Sequence, residues 1–401
     1  MEESERIKKG WIVTLAGTGI NLALGVLYSW SVISKEIPKE WGWNEADKAL
    51  PYTVACLIFA FMMVPAGRMQ DKLSPRITAT IGGFLIGAGL ILASFFNTVS
   101  MYILTFGVIA GTGIGFGYAA ATPAAVKWFP PAKTGLISGI VVAGFGLASV
   151  YISPLVKYFI KTYQLSNTLL ILGIAFLAAV VLFSQFLVNP PQTSVGSAKS
   201  TSSNDFSVKE VLTTKQFYIL WLMYAINAGA GLMVIGKLAT IVKTQASYEG
   251  GFILVALLAI GNAGGRVIAG TLSDKFGRMR TLQLFAAIQA ILMFLMPIMH
   301  SVTPLIAMSI TIGACYGSNL AVFPSITKDF FGLKNFGLNY GLVFTAWGVG
   351  SIMAMISGII KDRTGKFDGA FYLAGGLLII SILLTFLIKK PIKEDRTVQA
   401  A

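Results

Sequence analysis

Long apolar blocks, separated by short polar segments, occupy most of this 401-residue chain. A helix of about 20 apolar residues is long enough to cross a hydrocarbon core about 30 Å thick. Only 12% of the residues are charged, whereas a soluble domain carries about a quarter. The pattern excludes a soluble enzyme, a disordered chain and a disulfide scaffold. It predicts an all-α membrane protein with twelve transmembrane helices.

The apolar blocks fall into two groups of six. Between the groups lies an extended Pro-, Ser- and Thr-rich stretch, a composition typical of flexible connectors. We therefore predict an N-terminal six-helix bundle over residues 1–188, a cytoplasmic linker over 189–215, and a C-terminal six-helix bundle with a short cytoplasmic tail over 216–401. The predicted spans are 10–33, 47–67, 77–97, 100–126, 135–158, 166–188, 216–240, 249–272, 281–299, 303–327, 338–360 and 370–388.

The distribution of basic residues predicts how the chain is oriented in the membrane. With both termini in the cytoplasm, the inside segments carry 20 lysines and arginines and the outside segments carry 10. Such a bias is typical of multi-pass proteins of the plasma or inner membrane, whose cytoplasmic loops are the more basic. It accounts for the net charge of +14 without a nucleic-acid partner. One cation, Arg266, belongs to neither group, because it lies within span eight.

Cysteine and histidine are too rare for most enzyme chemistry. The two cysteines, Cys56 and Cys315, lie in separate apolar blocks, and His300 is the single histidine. This set provides no metal-ligand cluster, redox pair or histidine-based triad, and the sequence has no phosphate-binding GxxxxGK[ST] loop. We expect a protein that is not an enzyme and uses neither a metal nor a cofactor. A membrane sensor is the alternative of another class, although the tails and the linker are short.

The two halves of the sequence repeat each other. The loop after span two contains Gly67-x-x-x-Asp71-Lys72, and the loop after span eight contains Gly270-x-x-x-Asp274-Lys275, 203 residues later. Two related bundles joined by a soft linker are typical of carriers whose halves rock about a central site.

The repeated loop resembles the GxxxD[KR] signature of the major facilitator superfamily, and the twelve-span plan corresponds to that family over the whole chain. The resemblance implies two pseudo-symmetric six-helix bundles and a carrier that works as a monomer. It also implies that charged residues of the two loops hold the cytoplasmic helix ends together as a gate. The expected gate residues are Arg68, Asp71, Lys72, Asp274, Lys275 and Arg278.

Three further segments resemble one branch of this superfamily, the monocarboxylate transporters and the oxalate–formate antiporters. They are Trp128-Phe129-Pro-Pro-Ala-Lys133 with the glycines of span five, Asn262-x-x-x-Arg266 in span eight, and Asn339-Tyr340-Gly341 at the start of span eleven. The pattern is close to bacterial monocarboxylate transporter homologues that carry lactate. It implies a secondary transporter of short monocarboxylates, with L-lactate or pyruvate foremost. An exchanger of formate, oxalate or a related organic acid is the alternative.

Arg266 is the candidate for the group that binds the substrate's carboxylate. A charged side chain at mid-membrane costs at least about 2.5–3.5 kcal/mol on insertion scales, so it needs a compensating role. Its planar guanidinium stays protonated and matches a carboxylate with two hydrogen bonds. The alternative is that the side chain snorkels toward the headgroups. The family resemblance favours the first interpretation, because Arg266 matches the substrate-binding arginine of this branch.

Two positions near Arg266 bear on the size and charge of the substrate. Asn262 lies four residues earlier, on the same helical face, where eukaryotic members of the branch usually carry an acid. Trp347 stands where the oxalate exchangers place a lysine in span eleven. One cation would then face one carboxylate, which favours a monocarboxylate over a dicarboxylate.

Polar and aromatic side chains within the spans are candidates for the rest of the site. A phenol at membrane depth needs a partner, either a substrate or a neighbouring helix, and Tyr118 and Tyr316 occupy glycine-rich segments that we pair through the repeat. The candidates are Tyr28, Tyr118, Tyr316 and Asn319, with Leu27, Phe344 and Trp347 as an apolar wall.

Proton coupling is the expectation with the least support in the sequence. None of the 17 acidic residues falls in the middle of a predicted span, although proton-coupled carriers commonly use an intramembrane carboxylate. Uptake of a bare anion against an inside-negative potential costs about 2.3 kcal/mol per 100 mV. We therefore expect a co-transported proton that travels with the substrate or through water and tyrosines.

Overall fold

The computed structural model describes residues 3–191, 205–248 and 250–392. Throughout these ranges the regular secondary structure is helical, with no strand. Eleven of the helical segments are long and apolar enough to cross a membrane. The longest, Pro131–Ser184, is broken at Gln164, whose φ of 65° lies outside the helical range, so it supplies two spans. The expectation of an all-α membrane protein with twelve transmembrane helices is confirmed.

We number the spans α1 to α12, and six belong to the N-terminal half. They are α1 (Glu3–Leu24), α2 (Glu45–Lys72), α3 (Pro75–Ala93), α4 (Val99–Val126, made of Val99–Tyr102, Ile103–Ala110 and Gly111–Val126), and α5 and α6, which are residues 134–163 and 165–184 of the broken helix Thr134–Ser184. Shorter helical pieces flank them at Gly25–Ser29, Trp30–Ile33, Ser34–Glu36, Lys39–Trp41 and Pro131–Lys133.

The C-terminal half repeats this arrangement. Its spans are α7 (Lys215–Ala246), α8 (Gly251–Phe276), α9 (Arg278–Leu295), α10 (Val302–Phe331), α11 (Phe336–Gly350, continued by Ile352–Thr364) and α12 (Asp368–Leu387). A short 3₁₀ turn, Met296–Ile298, follows α9.

Some spans extend beyond their apolar blocks. α1 begins at Glu3 rather than near residue 10, and an ion pair of 3.0 Å between Glu5 and Lys9 supports its first turns. α2 begins after Asn44, which accepts a hydrogen bond from the backbone of Asp47 while the Asp47 carboxylate accepts one from the backbone of Asn44. Such turns are polar, so a hydropathy pattern does not include them.

The linker and tail predicted from the sequence lie partly outside the described residues, which omit 192–204 and 393–401. The described part of the linker includes a short helix, Val208–Thr213, capped by the Ser207 side chain. Just before it, the backbone N–H of Phe206 donates to the carbonyl of Phe331 at 3.0 Å. The segment that leads into α7 therefore contacts the end of α10.

The internal repeat is visible in the packing of helices within each half. A side chain at Gly115 of α4 would lie 3.0 Å from the carbonyl oxygen of Phe59 on α2, and one at Gly317 of α10 would overlap the carbonyl of Asn262 on α8. Gly115 and Gly317 are 202 residues apart, and Phe59 and Asn262 are 203 apart. Small residues allow helix backbones to approach closely in a membrane, so these contacts set the register of the repeat.

This register corrects one expectation about the tyrosines. An offset of 202 residues pairs Tyr118 with Leu320, whereas the sequence pattern suggested a pairing with Tyr316. The glycine-rich segments resemble each other at two alignments about one helical turn apart. The backbone contacts decide between the two alignments.

The two halves contact each other mainly along two helix pairs, α2 with α11 and α5 with α8, with smaller contacts between α5 and α10 and between α4 and α11. A side chain at Gly67 would overlap the carbonyl of Gly337, and a side chain at Gly270 would overlap the carbonyl of Gly135. All four glycines lie at the end of the bundle where α2 and α8 end and α5 and α11 begin. We call this end the terminal face, because α1 begins there and α12 ends there.

Candidate functional site

Arg266 lies on α8 between the two halves and is fully buried, with 0% of its surface exposed. Its Nε donates to Oδ1 of Asn262 at 3.0 Å, and its Nη1 donates to the backbone carbonyl of Val142 on α5. Its Nη2 has no hydrogen-bond partner within the described residues. The snorkelling alternative is therefore wrong, because the guanidinium is held inside the protein by both of its neighbours.

Two glycines of α5 make room for this arginine. A Cβ at Gly146 would lie 3.3 Å from the guanidinium carbon and from Nε of Arg266. A Cβ at Gly139 would overlap the backbone carbonyl of Arg266. The glycines of span five, which carried part of the family resemblance, thus let α5 approach α8 and let the guanidinium lie against its backbone.

The guanidinium borders a narrow hollow that is too tight in this conformation to hold a water molecule, so its walls must move apart before a substrate can enter. Arg266 is the only charged side chain among the residues of the described chain that line it. The lining is otherwise aromatic and aliphatic, with two phenols and one indole. The lining residues are Tyr28, Phe59, Tyr118, Phe145, Arg266, Leu320, Phe344 and Trp347.

A hydrogen-bonded group on one wall joins the two halves. The hydroxyls of Tyr28 and Tyr316 are 3.1 Å apart, and Nε1 of Trp347 donates to the Tyr316 hydroxyl at 2.7 Å. Tyr28 comes from the 3₁₀ turn after α1, Tyr316 from α10 and Trp347 from α11. Tyr316 does not line the hollow itself. Its hydroxyl forms hydrogen bonds with Tyr28 and Trp347, and these two residues line the hollow.

The rest of the lining is a layer of packed aromatic rings that adjoins Trp347. Phe344 stacks on Trp347 with ring centroids 5.3 Å apart, and it contacts Tyr118 at 5.4 Å. Phe59 contacts both Phe344 at 5.1 Å and Phe145 at 5.9 Å. The indole and rings that the sequence proposed as an apolar wall therefore lie together.

Sequence reasoning missed three lining residues, Phe59, Phe145 and Leu320. The repeat contained a signal for all three, because the register that the glycine contacts set relates Phe59 to the candidate Asn262. An offset of 202 residues relates Phe145 to Trp347 and Leu320 to Tyr118, and both partners were among the candidates. Applying the correct register to the candidates would have identified them.

Besides Tyr316, three predicted substrate-binding residues lie outside the lining. Asn262 is buried and holds Nε of Arg266 rather than facing the hollow. Asn319 donates from Nδ2 to the carbonyl of Cys315, one turn earlier on its own helix, at 3.2 Å. Leu27 is fully buried in a hydrophobic core that includes residues of both halves. Asn262 thus contacts the arginine, and the other two are packed within the protein.

At the terminal face, two aspartates bind across the halves in the same way. The Asp71 carboxylate accepts hydrogen bonds from the backbone N–H groups of Gly337 at 3.1 Å and Leu338 at 2.9 Å, at the start of α11. The Asp274 carboxylate accepts from Gly135 and Leu136, both at 2.8 Å, at the start of α5. A carboxylate at a helix N-terminus is stabilised by unpaired N–H groups and by the helix dipole. Each half thus caps a helix of the other.

Further charges surround Asp274. Arg278 donates to Asp274 and to Oδ2 of Asp329, the latter at 2.9 Å. Lys328 is nearly buried, donates to the Thr134 hydroxyl at 2.8 Å and lies 3.2 Å from Oδ1 of Asp329. Lys328 and Asp329 were not predicted as gate residues, because they lie outside the repeated loop.

Asp71 has a simpler environment. Lys127, at the end of α4, is the nearby cation, and burial lowers its pKa while the charge of Asp71 raises it. Among the predicted gate residues, Arg68, Lys72 and Lys275 are exposed. The two aspartates and Arg278 therefore make the contacts that join the helix ends.

The described residues contain no group of three or more His, Cys, Asp and Glu side chains that could hold a metal ion. Cys56 and Cys315 are both free and buried.

Comparisons with known proteins agree with this architecture. The family model of the Major Facilitator Superfamily matches residues 11–303 and 220–400. The chain is 28% identical to the oxalate:formate antiporter of Oxalobacter formigenes, over 92% of this chain and 90% of that protein. It is 24% identical to monocarboxylate transporter 13 of Rattus norvegicus, over 92% of this chain and 86% of that protein. The expected resemblance to this branch is confirmed.

A solved structure shows the same fold. FucP, a major facilitator superfamily transporter in the outward conformation, matches with a TM-score of 0.74 and 15% sequence identity, covering 96% of this chain and 100% of that chain. At this identity the likeness concerns the fold alone.

Proposed function

The chain belongs to the major facilitator superfamily, and we propose that it is a secondary transporter of short monocarboxylates, with L-lactate or pyruvate as the foremost substrates. The transporter works by alternating access, as a monomer in the plasma or inner membrane, with both termini in the cytoplasm. It moves a proton together with the anion. It is not an enzyme and uses no cofactor.

The main support for this proposal is that the Arg266 guanidinium is buried and still has N–H donors without a partner. A guanidinium has five N–H donors, and the contacts with Asn262 and Val142 use two of them. The donors on Nη2 are unpaired at a site that borders the hollow. A buried cation with free planar donors is a binding site for a carboxylate.

The lining of the hollow favours a small acid with one charge. Its walls are the rings of Phe59, Phe145, Phe344 and Trp347 and the side chain of Leu320, which suit a short alkyl group. A dicarboxylate would bring a second negative charge without a second cation. Burying an unpaired charge is far more costly than burying a paired one.

The terminal face provides the gate for this mechanism. The contacts of Asp71 with α11 and of Asp274 with α5 close that face between the halves. In the proposed cycle both aspartates release their helix N-termini when the halves part at this face. The positive-inside pattern of the sequence assigns the terminal face to the cytoplasm.

The proposed proton has no acidic carrier among the lining residues. We therefore place the proton on the substrate itself or on water beside the phenols. A proton removes the electrical cost of carrying an anion against an inside-negative potential, about 2.3 kcal/mol per 100 mV.

The second candidate is an exchanger of organic anions. The similarity to the oxalate:formate antiporter of Oxalobacter formigenes favours it. Proteoliposomes distinguish the two functions. A symporter accumulates labelled substrate when only a pH gradient is imposed, whereas an exchanger accumulates it only when the vesicles are preloaded with substrate.

The binding test uses purified protein and labelled L-lactate, pyruvate, formate and oxalate. We expect the monocarboxylates to bind wild-type protein and to lose binding in Arg266→Gln. Arg266→Lys should also bind poorly, because a point charge does not replace the planar fork. Arg76→Gln is the matched control, since Arg76 is an exposed arginine at the start of α3. Undiminished lactate binding in a folded Arg266→Gln protein would refute the proposal.

A further inference from the structure

Three buried phenols lie together beside the hollow, on the side of the terminal face. Tyr118 of α4, Tyr224 of α7 and Tyr340 of α11 each expose 2% or less of their surface. None of the three hydroxyls makes a hydrogen bond to another group of the described residues. Tyr118 belongs to the N-terminal half, and the other two belong to the C-terminal half. The proposed substrate site uses Tyr118 alone.

The rings of this phenol cluster are fixed around Phe344. The Phe344 ring centroid lies 5.4 Å from that of Tyr118, 5.7 Å from that of Tyr340 and 6.1 Å from that of Tyr224. Tyr224 also stacks on Phe323, with centroids 4.1 Å apart and planes 10° apart. The three phenols therefore surround one ring, that of Phe344.

The cluster extends from the hollow toward the gate. Tyr118 lines the hollow that Arg266 borders. Tyr340 lies two residues after Leu338, whose backbone N–H is bound by Asp71 at 2.9 Å. A substrate that leaves Arg266 for the terminal face would pass this cluster before it reaches the opened gate.

The hydroxyls are unnecessary for packing. Phenylalanine would give the same ring contacts without a buried polar atom, and a buried polar group without a partner is unfavourable. The three hydroxyls make no hydrogen bond within the described residues, so their O–H donors are available to a ligand that carries acceptors. A carboxylate is such a ligand, and phenol hydroxyls bind it with charge-assisted hydrogen bonds.

We propose that Tyr118, Tyr224 and Tyr340 form an inner binding station, which receives the substrate's carboxylate from Arg266 when the halves part at the terminal face. This inference rests on the proposed function, because it needs a carboxylate as the substrate. At this station the carboxylate exchanges its contact with the charged guanidinium for hydrogen bonds from neutral hydroxyls. This exchange lowers the free-energy barrier to substrate release. Binding at Arg266 does not depend on Tyr224 or Tyr340, since neither lines the hollow.

The test compares Tyr224→Phe, Tyr340→Phe and the double variant with wild-type protein. Tyr102→Phe is the matched control, because Tyr102 is also fully buried with an unpaired hydroxyl but packs against Trp30, Trp41 and Trp43, away from the cluster. Two quantities are measured: the dissociation constant for labelled L-lactate, and the rate of lactate exchange in proteoliposomes with equal pH on both sides.

We expect the double variant to keep the lactate dissociation constant within about twofold, and to lose about tenfold in exchange rate through the missing hydrogen bonds to the charged group. The Tyr102→Phe protein should match wild type in both. An unchanged exchange rate in the double variant would overturn the proposal that these tyrosines form a binding station. Uptake driven by a pH gradient is measured as a third quantity. A double variant that loses only this uptake would also overturn the proposal, because the cluster would then serve the proton and not the carboxylate.

The same measurements separate this inference from the proposed function. If wild-type protein neither binds nor exchanges short carboxylates, the proposed function fails and the station fails with it. If wild-type protein exchanges lactate and the double variant does so equally fast, only the station fails.

Discussion

The guanidinium of Arg266 donates a hydrogen bond to the backbone carbonyl of Val142, a residue of the opposite half. The contact ties α8 to α5 at the depth of the hollow. A substrate carboxylate would accept hydrogen bonds from the same guanidinium, and a carboxylate is a stronger acceptor than a neutral carbonyl. We expect binding to weaken this tie, which would couple the presence of substrate to the movement of the halves.

The space beside the guanidinium can be tested with one methyl group. In Gly146→Ala, the added Cβ would lie 3.3 Å from the guanidinium carbon, and overpacking a tight site costs about 1–3 kcal/mol. We expect the lactate dissociation constant to rise about tenfold, as measured by binding of labelled lactate. Gly264→Ala is the control on α8, because nothing lies within 4 Å of its Cβ. Equal affinities in the two variants would show that the guanidinium does not need this space.

Trp347 should set the preference for one carboxylate over two. In Trp347→Lys, a second cation would enter the wall opposite Arg266, and a hydrogen bond to a charged group contributes about 1.5–3 kcal/mol. We expect the affinity for oxalate relative to lactate to increase about tenfold or more, measured by competition between the two labelled acids. Trp347→Phe controls for the loss of the indole and should not favour oxalate. A lysine variant that keeps the wild-type preference would contradict the assignment of this wall.

Asp274 should hold the terminal face closed. Asp274→Asn removes the charge that faces the start of α5 and its pairing with Arg278. A charge at a helix N-terminus is worth about 0.3–1 kcal/mol and up to about 2 kcal/mol when partly buried. We expect the face to open several-fold more often.

Opening can be measured by thiol labelling at Ser138→Cys, a fully buried position on α5, with Cys56 and Cys315 replaced by alanine. Labelling should be faster in the Asp274→Asn background. Asp362→Asn, which removes an exposed aspartate at the end of α11, should leave the labelling rate unchanged. Equal labelling in both backgrounds would mean that Asp274 does not control the gate.

Asn262 should keep Arg266 available at neutral pH. In Asn262→Asp, a carboxylate would replace the oxygen that lies 3.0 Å from Nε and would neutralise the guanidinium. We expect lactate affinity to fall about tenfold at neutral pH, because the fixed acid competes with the substrate. As the pH falls the aspartate becomes protonated, so the affinity relative to wild type should recover.

The ratio of variant to wild-type affinity, measured across pH, checks this prediction. Protonation of lactate itself changes the measured affinity of both proteins equally, so this effect cancels in the ratio. A ratio that stays constant with pH would show that residue 262 does not interact with the substrate through Arg266.

The sequence by itself determined the membrane fold, the family and the central arginine. An apolar stretch of about 20 residues has one favourable state in a bilayer, a spanning helix, so the twelve spans follow from hydropathy. Arg266 was identifiable because a charge at that depth is costly without a function. Asp71 and Asp274 were identifiable because the same loop occurs twice.

The tertiary structure decided which helical faces meet. The lining of the hollow depends on how α2, α4, α5, α10 and α11 are rotated against one another. Glycine contacts between helices distant in the sequence fix that rotation, and they pair Tyr118 with Leu320 rather than with Tyr316. The backbone carbonyl of Val142 became a partner of Arg266 for the same reason. A backbone group carries no signature in a sequence, because every residue has one, and only the packing of the chain selects which of them faces the charge.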